Sequence, residues 1–268
     1  MLDAIFRLSN LTLFFLLSCA SIAISLAAVY VVKRYIPFHV RNQDNTVIGT
    51  TASLISVIYG VLAGLSALYL INNNSYASDA VQREANAVAD IYRDSQWLKE
   101  PERAAIQTQV KSYVVNVIQV EWPLMQLGKQ VNNNGDFVID NITNQLIHYN
   151  DLKNSEALLV HDMLDEVRQL YDARQQRIHI SYAELSPELW LVILIGTVLT
   201  LCINYLFGMN FYLHMVTVSA AALMTSSMIF LLISSDRPFQ GEFIIGPDSF
   251  QGVLTYIDQS RSLANKHH

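Results

Sequence analysis

The chain alternates between long uncharged stretches and a strongly polar middle. No Asp, Glu, Lys or Arg occurs in residues 8–32, 45–78 or 189–235. A hydrocarbon core of ~30 Å requires ~20 mostly apolar residues of helix, because backbone amides in lipid must be satisfied within the segment. The first two stretches each have room for one such helix, and the third has room for two. The pattern predicts an integral membrane protein with transmembrane helices at residues 10–32, 47–71, 189–207 and 211–233.

The N-terminal stretch also resembles the start of a secretion signal, because Arg7 is followed by a leucine-rich run. However, the apolar run continues past Cys19 to Val32, and no A-x-A-like cleavage site closes it. A cleaved signal peptide has a shorter core. We therefore expect a retained transmembrane helix.

The polar middle has the periodicity of helices. Val81, Ala85, Val88 and Tyr92 recur at steps of four, three and four, as on one face of an α-helix. No Pro or Gly interrupts the chain between the second span and this stripe. The second span is therefore expected to continue out of the membrane as one helix to about Trp97.

Three further helices complete the polar insert. Pro101 opens one that ends between residues 123 and 128, and the Asn-rich residues 132–135 form a turn. Apolar stripes then predict helices around residues 138–149 and 163–178. The expected fold class is an all-α integral membrane protein in four parts. Helices 1 and 2 lie in residues 1–71, and an inserted helical bundle occupies residues 72–186. A hairpin of helices 3 and 4 occupies residues 187–235, and residues 236–268 form a short tail.

The net charge and the positions of the basic residues indicate which partners are excluded and which side of the membrane the polar insert occupies. The net charge of −6 argues against a nucleic-acid partner, since phosphate binding needs a basic surface. Lys33, Arg34 and Arg41 lie between spans one and two, whereas Arg7 alone precedes span one. The positive-inside rule favours a cytoplasmic first loop, which places the bundle on the periplasmic side of a bacterial inner (plasma) membrane.

Span two carries small residues at helical spacing, and two interpretations remain open. Small side chains at this interval let helices pack closely, within a subunit or between subunits. Alternatively, this face lines a pore around the axis of an oligomer, with a hydrophobic constriction formed by Val57, Ile58, Val61 or Leu65. The residues of the packing or pore-lining face are Gly49, Ser53, Ser56, Val57, Gly60, Val61 and Gly64.

Other polar residues are weaker candidates for function. His214 and Asn204 are intramembrane polar residues. His214 is interpreted as a functional residue or, alternatively, as an imidazole at the headgroup level or a neutral hydrogen-bonded one, and Asn204 is expected to make a helix–helix contact. Glu121 precedes Trp122 and Pro123 and is expected to make a structural hydrogen bond. The charged residues His161, Asp162, Asp165, Glu166, Glu84, Asp90, Arg93 and Asp94 are interpreted as solvated helix faces. No catalytic, metal or phosphate-binding motif is found, so we expect neither an enzyme nor a cofactor.

Several motifs resemble those of the bestrophin-like membrane protein family over roughly residues 45–250. They are the small-residue second span, Glu84, Tyr113, Glu121-Trp122-Pro123, residues 187–190, and the run Asp236, Arg237, Pro238, Phe239, Gln240 and Gly241. Similarity to bestrophins proper implies a ring of subunits around an anion pore lined by the second span. It also implies a cytosolic extramembrane region, opposite to the orientation that the charges favour.

The leading hypothesis is an oligomeric channel for small inorganic ions, and the resemblance implies anions. Its expected partners are the lipid bilayer and other copies of the same chain. The alternative is a membrane-anchored sensor or assembly module without transport activity, whose bundle transmits small helix shifts.

Overall fold

The computed structural model describes residues 9–35, 44–149, 154–240 and 245–264, which form nine α-helices and no strand. A 3-10 turn occupies Ser95–Trp97, and a π-helical turn occupies Val117–Glu121. Four of the helices are long and apolar enough to cross a membrane, which confirms the prediction of an all-helical chain with four such elements. The helices are α1 Asn10–Tyr35, α2 Asn45–Asp94, α3 Glu102–Asn116, α4 Trp122–Gln126, α5 Asn134–Ile147, α6 Asn154–Ser181, α7 Pro187–Tyr205, α8 Phe211–Ser235 and α9 Asp248–Ala264.

Helix α2 is much longer than a membrane span. Its 50 residues form one α-helix that passes the end of the apolar stretch without interruption. At 1.5 Å per residue it measures about 75 Å, more than twice the ~30 Å of a hydrocarbon core. It ends at Asp94 and is followed directly by the 3-10 turn, close to the end predicted from periodicity.

The chain divides into two compact units, and α2 contributes to both. The first unit comprises Met1–Asn72, Glu184–Arg237 and Gly241–Phe243. The second comprises Asn73–Ala183, Pro238–Gln240 and Ile244–His268.

In the first unit, α1 packs along α8 through small and hydroxylated side chains. Ser18 and Ser25 are buried, and the Ser25 hydroxyl lies 2.9 Å from that of Tyr205 on α7. Ser21 donates a hydrogen bond of 3.3 Å to the carbonyl of Ala222 on α8. Such short side chains allow close helix packing in lipid, where the hydrophobic effect does not drive helices together.

Helix α7 begins as its sequence predicts. The Ser186 hydroxyl accepts a hydrogen bond of 3.3 Å from the Leu189 amide, and Pro187 occupies the first helical position. Serine satisfies an exposed amide there, and the fixed φ of proline suits the first turn.

In the second unit, α2, α3, α5 and α6 surround a common core. Val88 and Ile91 of α2, Val110 of α3, Ile142 of α5 and Met163 of α6 are all buried in it. Amphipathic helices can share one core in this way because each turns its apolar face inward.

Residues 236–268, interpreted from sequence as a short tail, contain helix α9. Phe250, Val253 and Ile257 recur at steps of three and four and are buried in the core of the second unit. Lys111 of α3 and Asp258 of α9 form an ion pair of 2.6 Å at the surface. The apolar spacing of this segment was already present in the sequence.

Candidate functional site

The membrane part of α2 has one packed face and two exposed ones. Tyr59, Ala63 and Leu70 pack against Ile193 of α7 and Leu232 of α8. Helices α2 and α7 approach each other closely at Gly196, where an added Cβ would lie 2.7 Å from the Tyr59 ring. Thr197 of α7 donates a 3.1 Å hydrogen bond to the Tyr59 hydroxyl. The exposed residues of the candidate site are Ser53, Val57, Gly60, Val61 and Gly64, while Gly49 and Ser56 are partly buried.

The two exposed glycines are not explained by packing within the subunit. A Cβ added at Gly60 or Gly64 would meet nothing within 4 Å. At Gly49 the nearest atom would be in the Phe207 ring, at an ordinary contact distance of 3.7 Å. Packing within the subunit therefore does not account for Gly60 and Gly64. The other two interpretations drawn from the sequence, contact between subunits and a pore-lining face, stay open for these residues.

Ile58 and Leu65 lie on the other exposed face. Ile58 precedes Gly60 by two residues, which is roughly 200° around a helix. Both side chains are 61% exposed, so this face carries bulky apolar groups, whereas the first carries the two glycines.

In the second unit, two carboxylates and two guanidinium groups form a buried ion network. Glu84 of α2, Glu121 at the end of the π-helical turn, and Arg174 and Arg177 of α6 are each 0% exposed. Arg177 donates to both oxygens of Glu84, at 2.5 and 2.8 Å, and to Glu121 at 2.7 Å. Arg174 donates to both oxygens of Glu121, each at 2.6 Å. The four charges cancel, which is the condition for burying them without a large penalty.

Neutral groups complete the hydrogen bonding of the network. The Tyr113 hydroxyl donates to Glu84 at 2.6 Å, and the Asn116 amide donates to Glu121 at 2.9 Å. Burial and the Glu84 carboxylate raise the pKa of Tyr113 well above its usual value, so this hydroxyl keeps its proton. Burial lowers the pKa of Arg177, but the Glu84 and Glu121 carboxylates outweigh it and the net shift is upward.

Aromatic rings cover the network on one side. The Arg177 guanidinium lies 5.5 Å from the centre of the Trp122 ring, within the range of a cation–π contact. Phe239 and Phe250 meet Trp122 edge-on, with ring centres 5.7 and 5.9 Å away. Water is thereby excluded, which strengthens each ion pair.

Comparison with known proteins assigns the chain to a family. The family model described as the bestrophin-like domain matches residues 19–250. The chain belongs to the bestrophin-like family. This confirms the resemblance seen in the sequence motifs.

Solved structures of bacterial bestrophin homologues share the fold. One, a substituted form of a homologue from Klebsiella pneumoniae, is 10% identical with a TM-score of 0.68 and covers 91% of this chain and 97% of its own. A second substituted form of the Klebsiella pneumoniae homologue has the same identity and TM-score and covers 91% and 98%. A crystal structure described only as a membrane protein gives 10% identity, a TM-score of 0.67, and coverage of 91% and 97%. No curated protein matches the chain.

The bestrophin-like motif residues in the second unit converge on the buried network. Glu84, Tyr113 and Glu121 are members of it, and Trp122 and Phe239 cover it. Pro123 lies in the first turn of α4, and the carbonyl of Pro238 accepts a 3.1 Å hydrogen bond from the Ile245 amide.

The remaining motif residues connect helices of the first unit. The Asp236 carboxylate accepts a hydrogen bond of 2.7 Å from the Leu185 amide, just before α7. Arg237 pairs with Glu184 at 2.8 Å. Gly241 lies outside the residues that the structure describes.

The interpretation of Glu84 as part of a solvated face is wrong. Its side chain points into the core of the second unit, where Arg177 and Tyr113 replace water as partners. Arg93 and His161, by contrast, are solvated as predicted, with side chains 59% and 69% exposed. Glu166 is only partly exposed, and burial together with Asp90 and Asp94 raises its pKa to about 7.

Sequence reasoning missed both arginines as members of a site, although a signal was available. Arg174 follows the buried Met163, Val167 and Leu170 on the apolar stripe of α6, and a charge in such a stripe indicates a buried partner. Gly135, interpreted as a turn residue, is needed for close approach: an added Cβ would lie 2.5 Å from the Arg174 guanidinium carbon.

The intramembrane polar residues contact each other through one main-chain group. His214 is 0% exposed, and its Nε2 lies 3.0 Å from the carbonyl of Asn204, which joins α8 to α7. The Asn204 side chain instead donates to Thr200 in its own helix at 2.7 Å. The helix–helix contact expected of the Asn204 side chain is therefore made by its backbone.

Proposed function

We propose that this protein is a subunit of an oligomeric ion channel whose pore is lined by the membrane part of α2. The observation that carries the proposal is the uncovered face of Ser53, Val57, Gly60 and Gly64 on a helix that packs against α7 and α8 through another face. Two glycines with open space above them serve no packing purpose within one subunit. Around a symmetry axis they would leave room for ions.

The chemistry of the lining limits how such a pore could select ions. No charged side chain lies on the membrane part of α2, so hydroxyls, helix dipoles and constriction diameter remain as the means of selection. The bestrophin-like fold and family membership are the support for small anions as the permeating class.

The buried network supports the same proposal by holding α2 in position. Glu84 lies on α2, and its partners Arg177 and Tyr113 lie on α6 and α3. A buried ion pair favours one register between two helices, because any other register leaves a charge unpaired. The helix proposed to line the pore is thus anchored in the extramembrane unit.

Reconstituted protein should conduct ions, and bulk added on the glycine face should reduce the flux. Gly64→Leu is the test variant, and the control is Leu65→Phe, which enlarges the neighbouring side chain on the other exposed face. We expect a strong reduction with Gly64→Leu and near-normal flux with Leu65→Phe, measured as anion efflux from vesicles. Intact oligomers without flux under any voltage or pH would refute the channel and favour a sensor or assembly module.

We further propose that the chain resides in a bacterial inner membrane with the bundle on the periplasmic side, because Lys33 and Arg34 lie in the last turn of α1. An impermeant maleimide should then label Asn133→Cys in intact cells. Labelling only after permeabilisation would reverse the orientation.

A further inference from the structure

Helix α1 ends with two consecutive basic residues at one membrane end of the first unit. Lys33 and Arg34 lie in its last turn, directly after the uncharged residues 8–32. A change from a long apolar stretch to paired charges marks the level at which a helix leaves the hydrocarbon core. Lys33 is partly buried and Arg34 is exposed.

Arg34 differs from the other arginines in the ranges that the structure describes. Each of the others donates to a carboxylate, to Gln176 or to Tyr92 of the same chain, whereas Arg34 has no such partner among the described residues. On a surface in open water, solvent would satisfy an unpaired guanidinium. At the end of a membrane span the neighbouring polar groups are those of lipid headgroups, so the anionic partner of Arg34 comes from outside the subunit.

Exposed aromatic rings lie beside the two cations. The Lys33 ammonium is 4.7 Å from the centre of the Phe211 ring, a cation–π distance, and Phe211 is the first residue of α8. Tyr212 meets Phe211 edge-on, with ring centres 5.8 Å apart. Tyr30 precedes Arg34 by four residues and therefore lies on the same face of α1. Exposed aromatic rings concentrate where a protein meets the headgroups, so they place both cations at the height of the lipid phosphates.

The local charge selects between classes of lipid. Asp44 lies at the same end, because the neighbouring Asn45 exchanges two hydrogen bonds of 2.8 Å with Gly208 between α7 and α8. It forms no ion pair with Lys33 or Arg34. A zwitterionic headgroup would bring an ammonium group towards these two cations, whereas an anionic headgroup brings negative charge alone.

We propose that Arg34 and Lys33 bind the phosphate of an anionic phospholipid beside the Phe211 ring, where α1 ends and α8 begins. The planar guanidinium fork can donate to two phosphate oxygens at once, and the ammonium adds a second positive charge. Basic sites between transmembrane helices bind acidic headgroups in this way. The inference goes beyond the proposed channel and does not depend on it, because it concerns the surface between protein and lipid.

Native mass spectrometry of the full chain, purified in detergent, tests the site directly. The probes are phosphatidylglycerol, which is anionic, and phosphatidylcholine with the same acyl chains. We expect tighter binding of phosphatidylglycerol, weakened about fivefold by Arg34→Gln and roughly 30-fold when Lys33→Gln is added. Arg34→Lys should retain most of the preference because the charge is kept. The control is Arg168→Gln, which removes the same charge from an exposed arginine of the second unit and should leave binding unchanged.

Four results would overturn the inference. Equal affinities for the two lipids, or an undiminished preference in the double variant, would show that these residues do not hold the headgroup. An equal loss with Arg168→Gln would show that only the net charge of the protein matters. Displacement of phosphatidylglycerol by glycerol phosphate at equal concentration would indicate a site for a free anion. Dissociation of oligomers by Arg34→Gln in lipid-free samples would show that Arg34 pairs with a second copy of the chain.

Discussion

Removing one arginine from the buried network should unfold the protein at a much lower temperature. In Arg177→Met the methionine retains most of the apolar volume of the arginine but none of its donors. Glu121 keeps its two hydrogen bonds from Arg174, whereas Glu84 keeps only the 2.6 Å hydrogen bond from Tyr113. A fully buried carboxylate is left without a counter-charge.

The size of the effect follows from that unpaired charge. Breaking a buried ion pair from one side costs about 3–5 kcal/mol, because the remaining ion is neither solvated nor neutralised. For a chain of this size the corresponding fall in melting temperature is on the order of 10 °C. An exposed pair is worth only about 0–1 kcal/mol.

The assay is thermal unfolding of purified protein in detergent, followed by tryptophan fluorescence, since Trp122 lies beside the network. The control is Arg103→Met, because Arg103 pairs with Glu100 at 2.6 Å but both side chains are about half exposed, at 43% and 52%. In the double variant Glu84→Gln with Arg177→Met, the unpaired charge is gone, so part of the lost stability should return. Equal melting temperatures for Arg177→Met and Arg103→Met would show that the network does not stabilise the fold.

Two further substitutions test parts of the same unit. Gly135→Ala should destabilise the protein by about 1–3 kcal/mol because its methyl group overlaps the Arg174 guanidinium. Gly252→Ala has open space at the Cβ and should stabilise α9 by up to about 1 kcal/mol. Equal melting temperatures for the two variants would refute this reasoning. Burial and the Asp90 carboxylate raise the pKa of Glu166 from 4.5 to about 7, so the folded state retains a proton that the unfolded chain loses, and stability should fall as pH rises through that range. Glu166→Gln should remove this pH dependence and should raise the free energy of unfolding above pH 7 by about 1 kcal/mol at most. If the melting temperatures of variant and wild type changed in parallel between pH 5 and 8, this prediction would be wrong.

The membrane helices could be predicted closely from sequence because lipid imposes a simple rule. A spanning helix must be apolar over its whole length, so the absence of charge marks it without knowledge of its neighbours. The continuity of α2 could be predicted equally well, since no Pro or Gly lies between Ile71 and Val81. The start of α7 at Ser186 and Pro187 depends on local chemistry alone.

The buried network could not be predicted in the same way because it depends on which helices meet. Glu84 and Arg177 are 93 positions apart, and a charge on one helix does not show which residue of another helix it pairs with. Only the packing of α2 against α6 shows that the two charges neutralise each other. For the same reason the sequence could mark Gly60 and Gly64 as unusual but could not show that the subunit leaves them uncovered.

The most direct test of the central claim is a structure of the assembled protein in a lipid bilayer, solved by electron microscopy. The proposed channel requires copies of α2 around one symmetry axis, with Gly60 and Gly64 turned towards a continuous path through the membrane. An assembly in which these glycines face lipid, or in which the axis is closed by other helices, would contradict it.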